Sequence, residues 1–287
     1  MTFTGSGKIG TNTVSGGGGN GGRIVLGGGA GLIITLIALF FGINPGSLTG
    51  STSPASSSSD SSSAQAIENH LESCTIEMAN QGDSICRIKA TVNSLNTVWP
   101  TIYPSYTPPQ TKIFSGSIDT GCGAATSDVG PFYCPIDKTA YFDPSFFDTL
   151  RKMGGSNGPL AQEYVVAHEY GHHVQNLTGA LAKGNRMGSQ GPTSGSVRVE
   201  LQADCLAGVW ANHASQGPNA TLEPLTQDQI GSVIQTAKAI GDDTIQGSNS
   251  NPESWTHGSA QQRARWFTTG YQSGDMRQCD TFATNSL

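Results

Sequence analysis

The sequence predicts an α+β domain: a helix carrying H-E-x-x-H, a second helix carrying two more carboxylates, and a small sheet, preceded by one transmembrane helix. Three observations lead there. His168-Glu169-Tyr170-Gly171-His172 sits in a stretch compatible with a helix. A second helical pattern, 197–211, carries Glu200 and Asp204. A charge-free run of twenty residues, 24–43, stands far upstream of both.

In chain order, residues 1–23 hold no acid and only Lys8 and Arg23, and Gly16 to Gly22 is broken only by Asn20. Such a segment offers little to bury and is expected to be a disordered tail. Twenty apolar residues of helix span about 30 Å, the thickness of a bilayer's hydrocarbon core. No small-x-small cleavage site follows Phe41, so 24–43 reads as an uncleaved signal anchor rather than a cleaved leader. The first basic residue after it is Arg87, which orients the tail to the cytoplasm and the remainder outside. Residues 46–64 contain ten serines in nineteen positions and read as a solvated linker.

Residues 65–287 are the one candidate globular domain, near the upper size for a single core. Charged residues make up 13% of the 287, and the formal net charge is −6. The balance is acidic, which argues against a nucleic-acid partner. All six cysteines lie in the domain, and an even count outside the cytoplasm suggests disulfides. Local pairing of Cys74 with Cys86 and Cys122 with Cys134, leaving Cys205 with Cys279, is the expectation among the fifteen connectivities that six cysteines allow.

The chemistry concentrates at 158–211. Gly158-Pro159 supplies a helix start and Gly179 a stop. On that helix His168 and His172 share a face and can converge on one metal ion. Glu169 lies about 100° around, where a base for a water at the metal must sit. A catalytic zinc takes three protein ligands, so the third must come from elsewhere. Glu200 suits that role, and Asp204, four residues on, can accept the free N–H of a ligating imidazole. A loop histidine, His257, could donate to a developing oxyanion, or be an ordinary surface histidine beside Gly258. His173 points away from the ligand face and reads as packed or solvent-facing, while His70 and His213 have no partner pattern. Thr139-Ala140-Tyr141-Phe142 has the look of an edge strand on which an extended peptide could pair, or of a core strand with both edges occupied.

These residues resemble the gluzincin metallopeptidases, the thermolysin-like class with H-E-x-x-H and a distant glutamate. More closely, the run from about Cys122 to Arg265 is similar to the bacterial family described as putative neutral zinc metallopeptidases. The matching stretches are Gly130 to Pro135, Tyr141 to Asp143, His168 to His173, Glu200 to Gly208, and Trp255 to Ser259 with Gln262-Arg263. The resemblance leaves residues 1–64 outside it, apart from a membrane anchor. It implies a zincin-like catalytic domain with one zinc on His168, His172 and Glu200, Glu169 as general base, and Asp204 behind a ligand. Thr256-His257 resembles a Thr-His-Pro motif of membrane zincins, with Gly258 in place of the proline.

The resulting expectation is a single-pass, membrane-anchored zinc peptidase that faces outward and hydrolyses a peptide or protein substrate. The alternatives are a hydrolase of cell-wall peptides and a non-catalytic binding module on the same scaffold. Glu169 weighs against the latter, because a purely structural zinc needs no base and has four protein ligands.

Overall fold

The computed structural model describes residues 2–10, 13–18 and 57–287. The expected span 24–43 and residues 46–56 of the expected linker lie outside these. Among the described residues no helix is long and apolar enough to cross a membrane.

The architecture is mixed α+β. Helix α1 (Ser57–Ser73) and the short α2 (Ile76–Gln81) lead into α3 (Ser84–Ile102). Strand β2 (Gln110–Ile113), the hairpin β3 (Ser117–Thr120) and β4 (Gly123–Thr126), then β5 (Phe132–Cys134) and β6 (Thr139–Phe142) follow. The remaining helices are α4 (Phe146–Lys152), α5 (Pro159–Thr178), α6 (Ala180–Asn185), α7 (Gly195–Ala214), α8 (Gln227–Ala239), α9 (Asp242–Gln246) and α10 (Ala260–Ser273).

Helices α5 and α7 are buried for nearly their whole length and form the centre of the core. The two can lie close because Gly171 faces Ala203, where an added Cβ would stand 3.0 Å from the Ala203 carbonyl oxygen. Helix α5 begins with Pro159 at its first turn and ends at Gly179, whose φ of 80° is the left-handed conformation glycine adopts freely. Helix α7 is capped by the Ser194 hydroxyl, which accepts from the Val197 amide.

Strand β1 (Val14–Gly16) opens a four-stranded sheet of order β1-β2-β6-β5 and corrects an expectation. It is drawn from the supposed disordered tail and pairs parallel with β2. Phe3, Ile9 and Val14 are buried in the main core. The glycines at the end of this strand are packed rather than free. At Gly16 an added Cβ would lie 2.5 Å from the Ala64 carbonyl oxygen, and at Gly17 2.4 Å from Ile118 Cδ1, so both are close-packing glycines. The serine-rich run also differs from a plain linker. Residues from Ser57 onward are helical in α1, which packs on β1, and Glu68 of α1 accepts from the Gly16 amide at 2.7 Å.

Strand β6 falls on Thr139–Phe142 as expected, but it is interior, with β2 on one side and β5 on the other. The chain turns back at Asp137-Lys138 and lays Phe132–Cys134 along it, so β5 is the outer strand. The three disulfides are Cys74–Cys86, Cys122–Cys134 and Cys205–Cys279. The second staples the β3–β4 hairpin to β5 over a small separate core of Phe114, Ile118, Val129, Phe132 and Tyr141.

Candidate metal centre

Helices α5 and α7 bring His168, His172 and Glu200 together so that one ligand atom from each lies within 4.8 Å of the others. Glu200 bridges the histidines: Oε2 is 3.1 Å from His168 Nε2 and Oε1 is 3.4 Å from His172 Nε2. All three side chains are buried. Burial works against the charge of Glu200, but His172 and His257 nearby, with hydrogen bonds from His168 and His172, hold its carboxyl well below the usual range.

The far nitrogen of each imidazole is fixed. His168 Nδ1 meets Asp204 Oδ1 at 2.9 Å. His172 Nδ1 meets Gln175 Oε1 at 2.8 Å, and Gln175 is itself held by donating to the Val199 carbonyl and to Gln202. Both Nε2 atoms are therefore turned toward Glu200. Asp204 has further partners: the Tyr164 hydroxyl donates to it at 2.5 Å, and Arg263 donates Nε and Nη2, each at 2.9 Å. Burial alone would raise the Asp204 pKa, yet Arg263 and His168 keep it low, so a charged carboxylate persists in the core. On His168 burial is outweighed by Asp204 and Glu200, which push its pKa up to about 10. The field at this site favours positive charge.

Glu169 is buried beside the ligands, and its Oε2 has no hydrogen-bond partner among the described residues. Burial raises its pKa, against the pull of His172 and His168. An orphaned carboxylate oxygen next to two nitrogens and a carboxylate fits a cation with an open coordination position. Two imidazoles and one carboxylate form a known catalytic zinc set. The residues thus fit the metal.

His257 is only 3% exposed and is no ordinary surface histidine. It lines the same cleft, together with His168, Glu169, His172, Glu200 and Arg263. Asp242 organises its loop: Oδ2 accepts the amides of Thr256, His257 and Gly258 at 2.8, 2.7 and 3.0 Å. His257 Nδ1 lies 2.6 Å from the Thr256 hydroxyl and 3.4 Å from Asp242, so that edge of the ring is engaged away from the cleft. Gly258 has φ of 88°, which proline cannot adopt, so its departure from a Thr-His-Pro pattern has a backbone cause.

His173 is buried away from the centre between the Tyr133 hydroxyl and the Thr107 carbonyl. His70 pairs with Asp83, and His213 with the Gly274 carbonyl. Sequence reasoning missed three members of the site. Gln175 was accessible through its i+3 spacing from His172 on one helix face. Arg263 was noted only within a matching stretch, without a role. Asp242 carries no local signal, since it reaches His257 through the fold.

The sequence model of the family described as "Putative neutral zinc metallopeptidase" matches residues 4–282, so the match takes in the N-terminal segment as well as the domain. An uncharacterized protein of Mycobacterium tuberculosis is 54% identical over 211 residues, covering 70% of this chain and 72% of its own. The uncharacterized protein YpfJ of Escherichia coli K12 is 45% identical over 186 residues, covering 62% and 63%. No solved structure matches. A match across nearly the whole chain, together with a site that suits zinc, leads to one conclusion: the chain belongs to the family described as "Putative neutral zinc metallopeptidase".

Proposed function

We propose that this protein is a zinc-dependent peptidase with a zincin-like centre, its metal held by His168, His172 and Glu200 and its general base Glu169. The observation that carries the reading is the convergence of those three ligand atoms beside a buried glutamate whose Oε2 is unpartnered. Zinc bound there would act as a Lewis acid and lower the pKa of water toward about 7. Glu169 takes the proton from the attacking water and returns it to the leaving amine. His257 presents its free ring edge to the cleft and donates to the developing oxyanion. Asp204 and Gln175 hold the ligating rings in one tautomer.

The substrate is an extended peptide. Strand β5 has no neighbour on its outer edge among the described strands, and Pro131, just before it, lines the cleft. A peptide added to that edge by main-chain pairing would run past the metal. Val129, Phe146, Met153, Val165, Ile240 and Ile245 line the cleft and suit a bulky apolar side chain next to the scissile bond. Three disulfides favour work in an oxidising compartment, and the apolar run 24–43 would keep the protein at a membrane.

The test uses the full chain. Glu200→Ala is expected to lose stoichiometric zinc. Glu169→Gln is expected to keep zinc and lose at least about 10³-fold in peptide hydrolysis, as removal of an essential base implies. Full zinc binding in the first, or full zinc-dependent hydrolysis in the second, would refute the assignment.

A further inference from the structure

Behind the proposed metal centre, opposite the cleft, the N-terminal segment touches the active-site helix at two levels. Thr2 is fully buried, and its hydroxyl donates to Glu163 Oε1 on α5. Its amide donates to Asn80 Oδ1 at 3.1 Å, and its carbonyl accepts from the Glu223 amide at 2.7 Å, so its position is fixed from three sides. The second level lies at β1. The Thr13 carbonyl accepts from the Thr111 amide at 2.8 Å, and the Thr111 hydroxyl lies 2.8 Å from the Tyr170 hydroxyl, which Thr13 and Asn96 also reach.

Glu163 and Tyr170 are seven residues apart on α5, about two turns, and so share one face. His168 and His172 lie roughly 140° or more around from that face. The front of the helix is tied by Asp204 and Gln175, and the rear by Thr2 and the Thr13–Thr111 pair. Without the rear ties, the helix could rotate about its own axis. A metal site tolerates only about 0.5 Å or 10–20° of such error.

We propose that residues 2–10 and 13–16 are a positioning segment for the metal centre, with Thr2 and Thr13 holding α5 in the rotation that points both histidines at Glu200. This rests on the reading of His168, His172 and Glu200 as the zinc site. The segment touches neither metal nor substrate and acts through Glu163 and Tyr170.

The experiment compares the full chain with Thr2→Val, which loses the hydroxyl at equal size, Thr2→Ser, which keeps it, and Tyr170→Phe, which removes the second rear contact. Zinc affinity is read by chelator competition, ligand geometry by the visible spectrum of the cobalt(II)-substituted protein, and melting temperature is recorded without metal. Thr2→Val and Tyr170→Phe should each weaken zinc roughly tenfold, the low end for supporting residues around a metal, and shift the cobalt bands. Thr2→Ser should restore both. Wild-type affinity and spectrum in Tyr170→Phe overturn the proposal whether or not Thr2→Val folds. The same holds if Thr2→Val melts lower yet binds metal normally. A parent chain that binds no zinc overturns the metal reading, and this inference with it.

Discussion

Asp204 accepts more hydrogen bonds than any of the three candidate metal ligands. Its two oxygens take hydrogen bonds from Tyr164, His168 and both Arg263 nitrogens, with no exposure to solvent. Such a charge is tolerable because both oxygens are hydrogen-bonded and the Arg263 guanidinium pairs with it. Glu163 is the contrasting case. It is fully buried, its Oε2 is unpartnered, and Arg87 Nε is 4.0 Å from its other oxygen. Burial pushes its pKa up to about 7 from 4.5, against the pull of the Thr2 hydrogen bond and of Arg87. The folded protein therefore holds a proton through a window, from about pH 4.5 to 7, where the unfolded chain has released it. The stability this contributes is complete below about pH 4.5 and is lost as pH rises through 7, a change on the order of 3 kcal/mol. Glu163→Gln, a permanent stand-in for the protonated acid, should gain on the parent chain in urea midpoint between pH 5 and pH 8. Parallel pH profiles for the two proteins would show that Glu163 does not titrate in the fold.

Between elements, glycine sets the distances. Helices α7 and α10 cross with backbones nearly touching: a Cβ at Gly270 would fall 1.9 Å from the Cys205 carbonyl oxygen, and one at Gly208 2.2 Å from that of Phe267. Gly270→Ala must push apart the helices that carry Asp204 and Arg263. It should cost about 3 kcal/mol, or roughly 6–12 °C in melting temperature for a chain of this size. Gly231→Ala on α8, where nothing lies within 4 Å, is the control and should raise stability by about 0.5–1 kcal/mol. The same contrast explains what was legible in the sequence. Helix α5 could be read because its start, its stop and its ligand spacing are all local. The two short-range disulfides and strand β6 were within reach for the same reason. The outer position of β5, the Asp242–His257 pair and the docking of β1 depend on segments that meet only after folding. The glycines of β1 look identical in sequence whether they are close-packed or free.

For the whole molecule, the decisive fact is that residues 2–10 and 13–18 pack against the domain formed by 57–287. The expected arrangement put the tail in the cytoplasm and the domain outside, with 24–43 crossing once between them. A tail docked as β1 must lie on the same side as the domain it pairs with. All six native cysteines are paired, so a single added cysteine is a clean reporter. Exposed Ser6 and Ser286, each changed to cysteine in separate full-length proteins, should react alike with an impermeant maleimide on intact cells. Opposite labelling would mean that the strand is undocked in the cell. The parallel β1–β2 pairing also bears on how the protein can be handled. Strand β1 occupies the outer hydrogen-bonding edge of β2, whose Thr111 and Ile113 are fully buried. A fragment beginning at the serine-rich run would retain the proposed zinc ligands and all three disulfides, yet bare that edge as a template for pairing with other chains. Unpaired strand edges are a recognised route to aggregation. A soluble truncation must therefore bring its first eighteen residues with it, either rejoined by a short loop or supplied as a separate peptide.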